Sequence, residues 1–208
     1  MIRVLALGDS YTVGEGVAEG KAWIAQLADA LRSEGHAIAA PRVIATTGWT
    51  TDELSTAMDA AEPLGRDWDL VTLLIGVNNQ YRGRDAHEYR REFGVLLERA
   101  IGCAGGDAAR VLVLSIPDWG VTPFAAKEGR DPAEIASALD AFNAVARDAC
   151  SARGVAFVDI TPVSRAQGGV AAMLAGDGLH PSAAMHALWA DAALPDARRM
   201  LHTTKPAA

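Results

Sequence analysis

Five short runs of apolar, largely β-branched residues recur along the chain, at 2–7, 43–45, 70–75, 111–116 and 155–160. Each is nearly continuous rather than alternating, which is how strands read when both faces of a parallel sheet are covered. Parallel neighbours cannot be joined by tight turns and need crossover connections, usually helices. The intervening segments must therefore carry helical periodicity.

They show it. Trp23, Leu27 and Leu31 recur at helical spacing before Gly35, and Thr50 with Glu53 opens a short helix. Asp85 starts a third, with Glu88 as the third residue of a capping box and Tyr89, Phe93, Leu96, Leu97 and Ala100 as its apolar stripe. In the fourth, Asp131-Pro132 gives a start signal with proline in the first helical position. Ile135, Leu139, Phe142 and Val145 form its stripe and Gly154 its stop. Ser182 starts the last, which carries Met185, Leu188, Trp189 and Ala192. Five strands alternating with five helices predict an α/β fold, a doubly wound parallel sheet with helices on both faces.

At 208 residues one hydrophobic core suffices, so a single domain is expected over 1–201, followed by a loose tail at 202–208. The 26 acidic residues outnumber 19 basic ones, and no basic cluster is longer than Arg90-Arg91 or Arg198-Arg199, which argues against nucleic acid as a partner. No signal peptide is read in the six-residue apolar start and no stretch reaches the roughly 18 to 20 apolar residues of a spanning helix, so the expectation is a cytoplasmic protein without membrane insertion. Cys103 and Cys150 match no zinc spacing and are read as two packed thiols.

In a doubly wound sheet, ligands bind outside the carboxyl ends of the strands. The residues that follow each run are therefore the candidate site: Asp9 and Ser10; Thr47, Gly48 and Trp49; Gly76, Val77, Asn78 and Asn79; Pro117, Asp118 and Trp119; and, at longer range, Asp177 and His180. Together these residue types can perform acyl transfer. A serine hydroxyl becomes a nucleophile when an imidazole takes its proton, and a carboxylate holds that imidazole in the right tautomer. Ser10, His180 and Asp177 suit these roles. A glycine N–H, an asparagine amide and the serine's own N–H can stabilise the oxyanion of the tetrahedral intermediate.

G-D-S-Y at 8–11, a glycine after the second strand, G-V-N-N at 76–79 and D-G-L-H-P at 177–181 resemble, in order and spacing, the four blocks of the SGNH hydrolases, the GDSL-type esterases and lipases. The resemblance implies a flavodoxin-like three-layer α/β/α sandwich. It implies Ser10 as nucleophile, Gly48 and Asn78 completing the oxyanion hole with Ser10, and His180 as general base oriented by Asp177. It implies no metal or organic cofactor, and a small-molecule ester as partner. Thr12 stands where the G-x-S-x-G elbow of an α/β-hydrolase has glycine.

Candidate substrate contacts are Asp9, Tyr11, Trp49, Asn79 and Trp119; Asp9 is also expected to fix its loop by bonding to backbone, and Asn79 to support Asn78. Trp23, Trp68 and Trp189 are read as packing, and His36, His87 and His202 as surface residues. Tyr81, Arg82 and Arg84 are read as a solvated loop, with contact to a polar leaving group as the alternative. The modest loops at 117–130 and 161–176 favour short acyl groups such as acetyl. Other readings stay open: a flavodoxin-like module whose G-D-S-Y-T-V-G loop cradles a phosphate of a nucleotide or flavin, or an acyltransferase or thioesterase using the same residues. Ser10 as a mere helix cap is the plain structural alternative.

Overall fold

In the computed structural model, which describes residues 1–203, β1 Val4–Gly8, β2 Arg42–Ala45, β3 Leu70–Leu74, β4 Val111–Leu114 and β5 Ala156–Val158 form one parallel sheet. Its order is β2-β1-β3-β4-β5, the flavodoxin-like arrangement. The expectation of strands covered on both faces holds for β1, β3 and β4, whose residues are all buried. It fails at the edges, where Val43 of β2 is 40% exposed and Ala156 and Phe157 of β5 are half-buried. An edge strand has a neighbour on one side only, so less of it is covered.

The strands are also shorter than the apolar runs. Ile75 and Ile116 are buried but lie past the last paired residues, where the chain leaves the ladder for the loops of the candidate site.

Nine α-helices occur among the described residues: α1 Ser10–Val13, α2 Trp23–Ser33, α3 Thr51–Ala60, α4 Val77–Tyr81, α5 Ala86–Cys103, α6 Pro123–Lys127, α7 Pro132–Arg153, α8 Thr161–Gln167 and α9 Ala183–Thr203. The five expected helices are α2, α3, α5, α7 and α9. Their start signals cap as expected at two of three sites: Glu53 accepts the Thr50 N–H at 2.9 Å and Asp131 that of Ala133 at 2.8 Å. At Asp85 only half of the expected capping box forms, Asp85 accepting the Glu88 N–H at 2.8 Å while the Glu88 side chain turns to Arg84. Such caps satisfy donors the helix leaves open and are each worth about 1 kcal/mol. Their apolar stripes are buried except in α9, where Leu188 is half-buried and Ala192 faces outward while the buried face continues through Ala193, Ala197 and Met200. Helix α9 runs to Thr203, into the expected loose tail; 204–208 lie outside the described residues.

Helices α2 and α9 pack together on one face of the sheet, and α3, α5 and α7 lie side by side on the other. Cys103 and Cys150 are buried and unpaired, and burial pushes the Cys150 thiol up to about 12. Among the described residues no helix is long and apolar enough to cross a membrane. Gly8 pairs level with Ala45 on one side and Leu74 on the other, so the segments after β1, β2 and β3 emerge together at one edge.

His186 joins α9 to α2: it is fully buried, and its Nδ1 accepts the Trp23 N–H at 3.2 Å. Burial, and secondarily the nearby His180, push its imidazole down from 6.5 to about 4. The unfolded chain therefore binds a proton at 6.5 that the fold refuses until about 4, and its contribution to stability is lost as pH falls through that window. Asp9 acts in the opposite sense, because burial raises its carboxyl to about 7. The informative comparison is thus with His186→Asn, whose side-chain carbonyl can still accept the Trp23 N–H. Between pH 6.5 and 4 the wild type should lose up to about 3 kcal/mol relative to this variant in urea denaturation; parallel curves would refute it.

Candidate active site

At the end of β1 the chain turns directly into α1. Asp9 is fully buried and accepts the Tyr11 N–H at 3.0 Å, so it is Asp9 that caps the helix. Burial raises its carboxyl to about 7 against the pull of that N–H. Ser10 is the first residue of α1, 5% exposed, and its hydroxyl has no hydrogen-bond partner among the described residues. The reading of Ser10 as a mere cap is thereby replaced: its neighbour does that work and leaves the hydroxyl free for an incoming molecule.

The loop after β2 turns through Gly48 at φ 88°, a conformation that favours glycine. Two side chains from the α4 region hold this loop by its carbonyls. Asn78 Nδ2 donates to Trp49 O at 2.9 Å, and Arg82 Nη2 donates to Gly48 O at 2.7 Å. An asparagine amide has two hydrogens, so Asn78 keeps one for another acceptor. Gly76, at φ 128°, lets the α4 loop pass hard against the core: a Cβ there would lie 2.6 Å from the Tyr89 ring and 2.8 Å from Ile116. Tyr89 in turn donates its hydroxyl to Ile75 O at 3.0 Å, pinning the start of the same loop.

The opposite wall is the loop before α9. Asp177 Oδ1 accepts the N–H groups of Leu179 and His180, both at 2.9 Å, and Oδ2 lies 2.5 Å from His180 Nδ1. Burial pushes the Asp177 carboxyl up, but its bonds to the His180 ring and to these two N–H groups outweigh burial and hold it below the usual range. The carboxylate therefore stays ionised beside the imidazole, whose edge meets the Tyr11 ring at 6.1 Å between centroids.

Ser10, Gly48, Asn78 and His180 line one cavity of about 190 Å³, as do Tyr11 and Trp119. The other expected contacts do not. Asp9 is inside the fold. Asn79 is fully buried behind the loop, accepting the Thr51 N–H at 3.1 Å and donating to Thr51 Oγ1 at 2.6 Å, which is support and not substrate contact. Trp49 contributes its carbonyl, while its ring packs on the core. Each of these three lies next to a cavity residue in a tight turn, where successive side chains diverge. The solvated-loop reading fails for all three residues after the asparagine block: Arg84 is half-buried against Asp52 at 2.7 Å, Arg82 holds the Gly48 loop, and the Tyr81 ring lines the cavity.

Thr47, Val77, Phe124 and Leu179 complete the lining. Leu179 carried a readable signal, an apolar residue in an otherwise polar loop. Phe124 carried none, because it sits on the short helix α6, and the bond of its N–H to Gly178 O at 3.1 Å and its ring contacts bring it to the site without any sequence periodicity.

A free hydroxyl, a carboxylate-held imidazole, backbone N–H groups and a spare amide hydrogen around one cavity form an arrangement able to transfer an acyl group. The profile of the GDSL-like Lipase/Acylhydrolase family matches residues 6–188. The chain belongs to that family. No curated protein sequence matches it. A lipase/acylhydrolase from Enterococcus faecalis superposes with TM-score 0.73 at 18% identity, each chain covered in full. The esterase EstA from Pseudoalteromonas sp. gives 0.72 at 16%, with 97% of this chain and 100% of that one covered. An acetylxylan esterase from Geobacillus stearothermophilus gives 0.70 at 21%, with 94% of each covered. At these identities the likeness is one of fold, and this GDSL-like chain shares the fold of esterases and lipases.

Proposed function

We propose that this GDSL-like protein is a carboxylic ester hydrolase that works through an acyl-enzyme on Ser10. The observation that carries the reading is the His180–Asp177 pair, 2.5 Å apart, with His180 opening into the same cavity as the unpartnered Ser10 hydroxyl. Ser10 Oγ attacks the ester carbonyl while His180 Nε2 takes its proton. The oxyanion receives the N–H groups of Ser10 and Gly48 and the free hydrogen of the Asn78 amide. His180 then passes the proton to the departing alcohol, and water, activated by the same base, releases the acid. Asp177 holds Nδ1 protonated and stabilises the imidazolium.

A cavity of about 190 Å³ suits a small acyl group and not a long chain. The acetylxylan esterase among the structural neighbours is in keeping with that size. Hydrolysis of p-nitrophenyl acetate and butyrate should therefore exceed that of the octanoate, and a fluorophosphonate should leave one adduct, on Ser10. Absence of both turnover and adduct would sink the proposal.

Asn78→Ala should lower kcat by about 10²- to 10³-fold with a smaller effect on KM, the scale for loss of one oxyanion donor. Steady-state kinetics decide it. A change in KM alone would place Asn78 in ground-state binding.

A further inference from the structure

The cavity has one wall that hydrolysis itself does not need. Tyr81, Trp119 and Phe124 meet there as a corner of three rings. Tyr81 and Trp119 are 5.4 Å apart at 67°, Trp119 and Phe124 6.2 Å at 63°, and Tyr81 and Phe124 6.4 Å at 43°. These are edge-to-face and tilted contacts, which leave ring faces and edges at different angles around one space. Two of the three rings are braced. Trp119 Nε1 donates to Gln80 Oε1 at 2.9 Å, and the Tyr81 hydroxyl reaches Glu128 at 3.3 Å. The Arg130 guanidinium lies 5.0 Å from the Trp119 ring and 5.4 Å from that of Tyr81, and it donates to the Tyr81 carbonyl at 3.1 Å. Trp119 is 2% exposed, so it cannot swing away, whereas Tyr81 is 40% exposed at the mouth.

We infer that the corner selects esters whose acyl part carries a planar aromatic ring, an inference that rests on the ester hydrolase reading and narrows it. Rings already held in place cost little ordering when a fourth ring arrives. That ring can meet them edge-to-face or offset, gaining attraction beyond the area it buries. Size agrees: an apolar cavity of about 150 Å³ holds benzene, and this one, at about 190 Å³, has room for the reacting carbonyl as well. A saturated ring of similar bulk would bury the same apolar surface but offer no π-face, so comparing the two separates ring recognition from plain hydrophobicity.

The experiment uses p-nitrophenyl phenylacetate and p-nitrophenyl cyclohexylacetate, which share a leaving group. Each kcat/KM is divided by that ester's rate with hydroxide, so that intrinsic reactivity cancels, and p-nitrophenyl acetate reports hydrolase activity as such. The wild type should prefer phenylacetate by about tenfold, from two ring contacts of ordinary strength. Phe124→Leu and Tyr81→Leu should each bring the ratio towards one; because it is taken within each variant, a general loss of activity does not disturb it. A wild-type ratio of one, or a preference that survives both substitutions, would overturn the inference while acetate turnover left the hydrolase reading standing. No turnover of any of the three esters and no fluorophosphonate adduct would overturn both.

Discussion

Ser10→Ala is expected to lower kcat for p-nitrophenyl acetate by up to about 10⁶-fold while leaving the fold untouched, the scale seen when a serine nucleophile is removed. Both halves of the expectation come from the same geometry. The hydroxyl makes no hydrogen bond within the described protein, so its removal orphans no buried partner, and helix α1 keeps its cap because Asp9 supplies it. Alanine in the first turn of a helix is well tolerated. Midpoints of thermal and urea denaturation should therefore agree with the wild type, and the fluorophosphonate adduct should vanish. The Gly48 and Asn78 donors survive in the variant, so a residue of catalysis over water remains. Turnover within tenfold of the wild type would show that another group attacks the ester, and a large loss of stability would show that Ser10 has a structural partner.

How far such a site can be read from sequence follows from how each part is encoded. Strands β1, β3 and β4 and the five long helices were legible because burial forces a repeat: continuous apolar runs between covering layers, and stripes such as Tyr89, Phe93, Leu96 and Ala100 along α5. Helices α1, α4, α6 and α8 are four to seven residues long, at most two turns, and no periodicity can declare itself over that length. The loops of the site were legible from topology, since the strand ends bring them to one edge. Which residue of a loop faces the cavity was not. Asn78 and Asn79 are adjacent and chemically identical, yet one lines the cavity while the other locks α3 to α4 through Thr51; the difference arises in the backbone turn at Gly76 and in the core behind it. The aromatic corner was only half visible for a related reason. Trp119 sits in the loop that leaves β4, whereas Tyr81 and Phe124 reach the same point through α4 and α6, two helices the sequence does not announce.

The support behind the loops that line the cavity is denser than their exposure suggests. Asn78 and Arg82 grip the Gly48 loop by successive carbonyls, Glu53 both caps α3 and pairs with Arg82 at 3.3 Å, and Asn79 ties α3 to α4. The Gly48 loop and the Asn78 amide are thus held in place before any ligand arrives, which is what the proposed oxyanion role requires, since electrostatic stabilisation is most effective when no reorganisation is needed during reaction.

Asp177→Asn should cost about 10⁴-fold in kcat, although it replaces one side chain by another of nearly the same shape. The reason lies in what each oxygen does. Oδ1 accepts two backbone N–H groups, those of Leu179 and His180, and Oδ2 faces His180 Nδ1. Asparagine has one acceptor oxygen and one NH₂ group. Two fixed N–H donors on one side compel the oxygen to stay with them, since the reverse orientation would set hydrogens against hydrogens. The NH₂ group must then point at Nδ1, which can accept its hydrogen only as the bare nitrogen. The imidazole proton is forced onto Nε2, the atom that has to receive the Ser10 proton, and the base is disabled by its tautomer while remaining in place. Because the loop keeps both backbone bonds, the variant should denature with a midpoint close to the wild type. Its fluorophosphonate labelling should slow in parallel with kcat, since phosphonylation uses the same base. If labelling stayed fast while kcat fell, Asp177 would act after the acyl-enzyme forms; if neither changed, the carboxylate would be structural and His180 would find its tautomer without it.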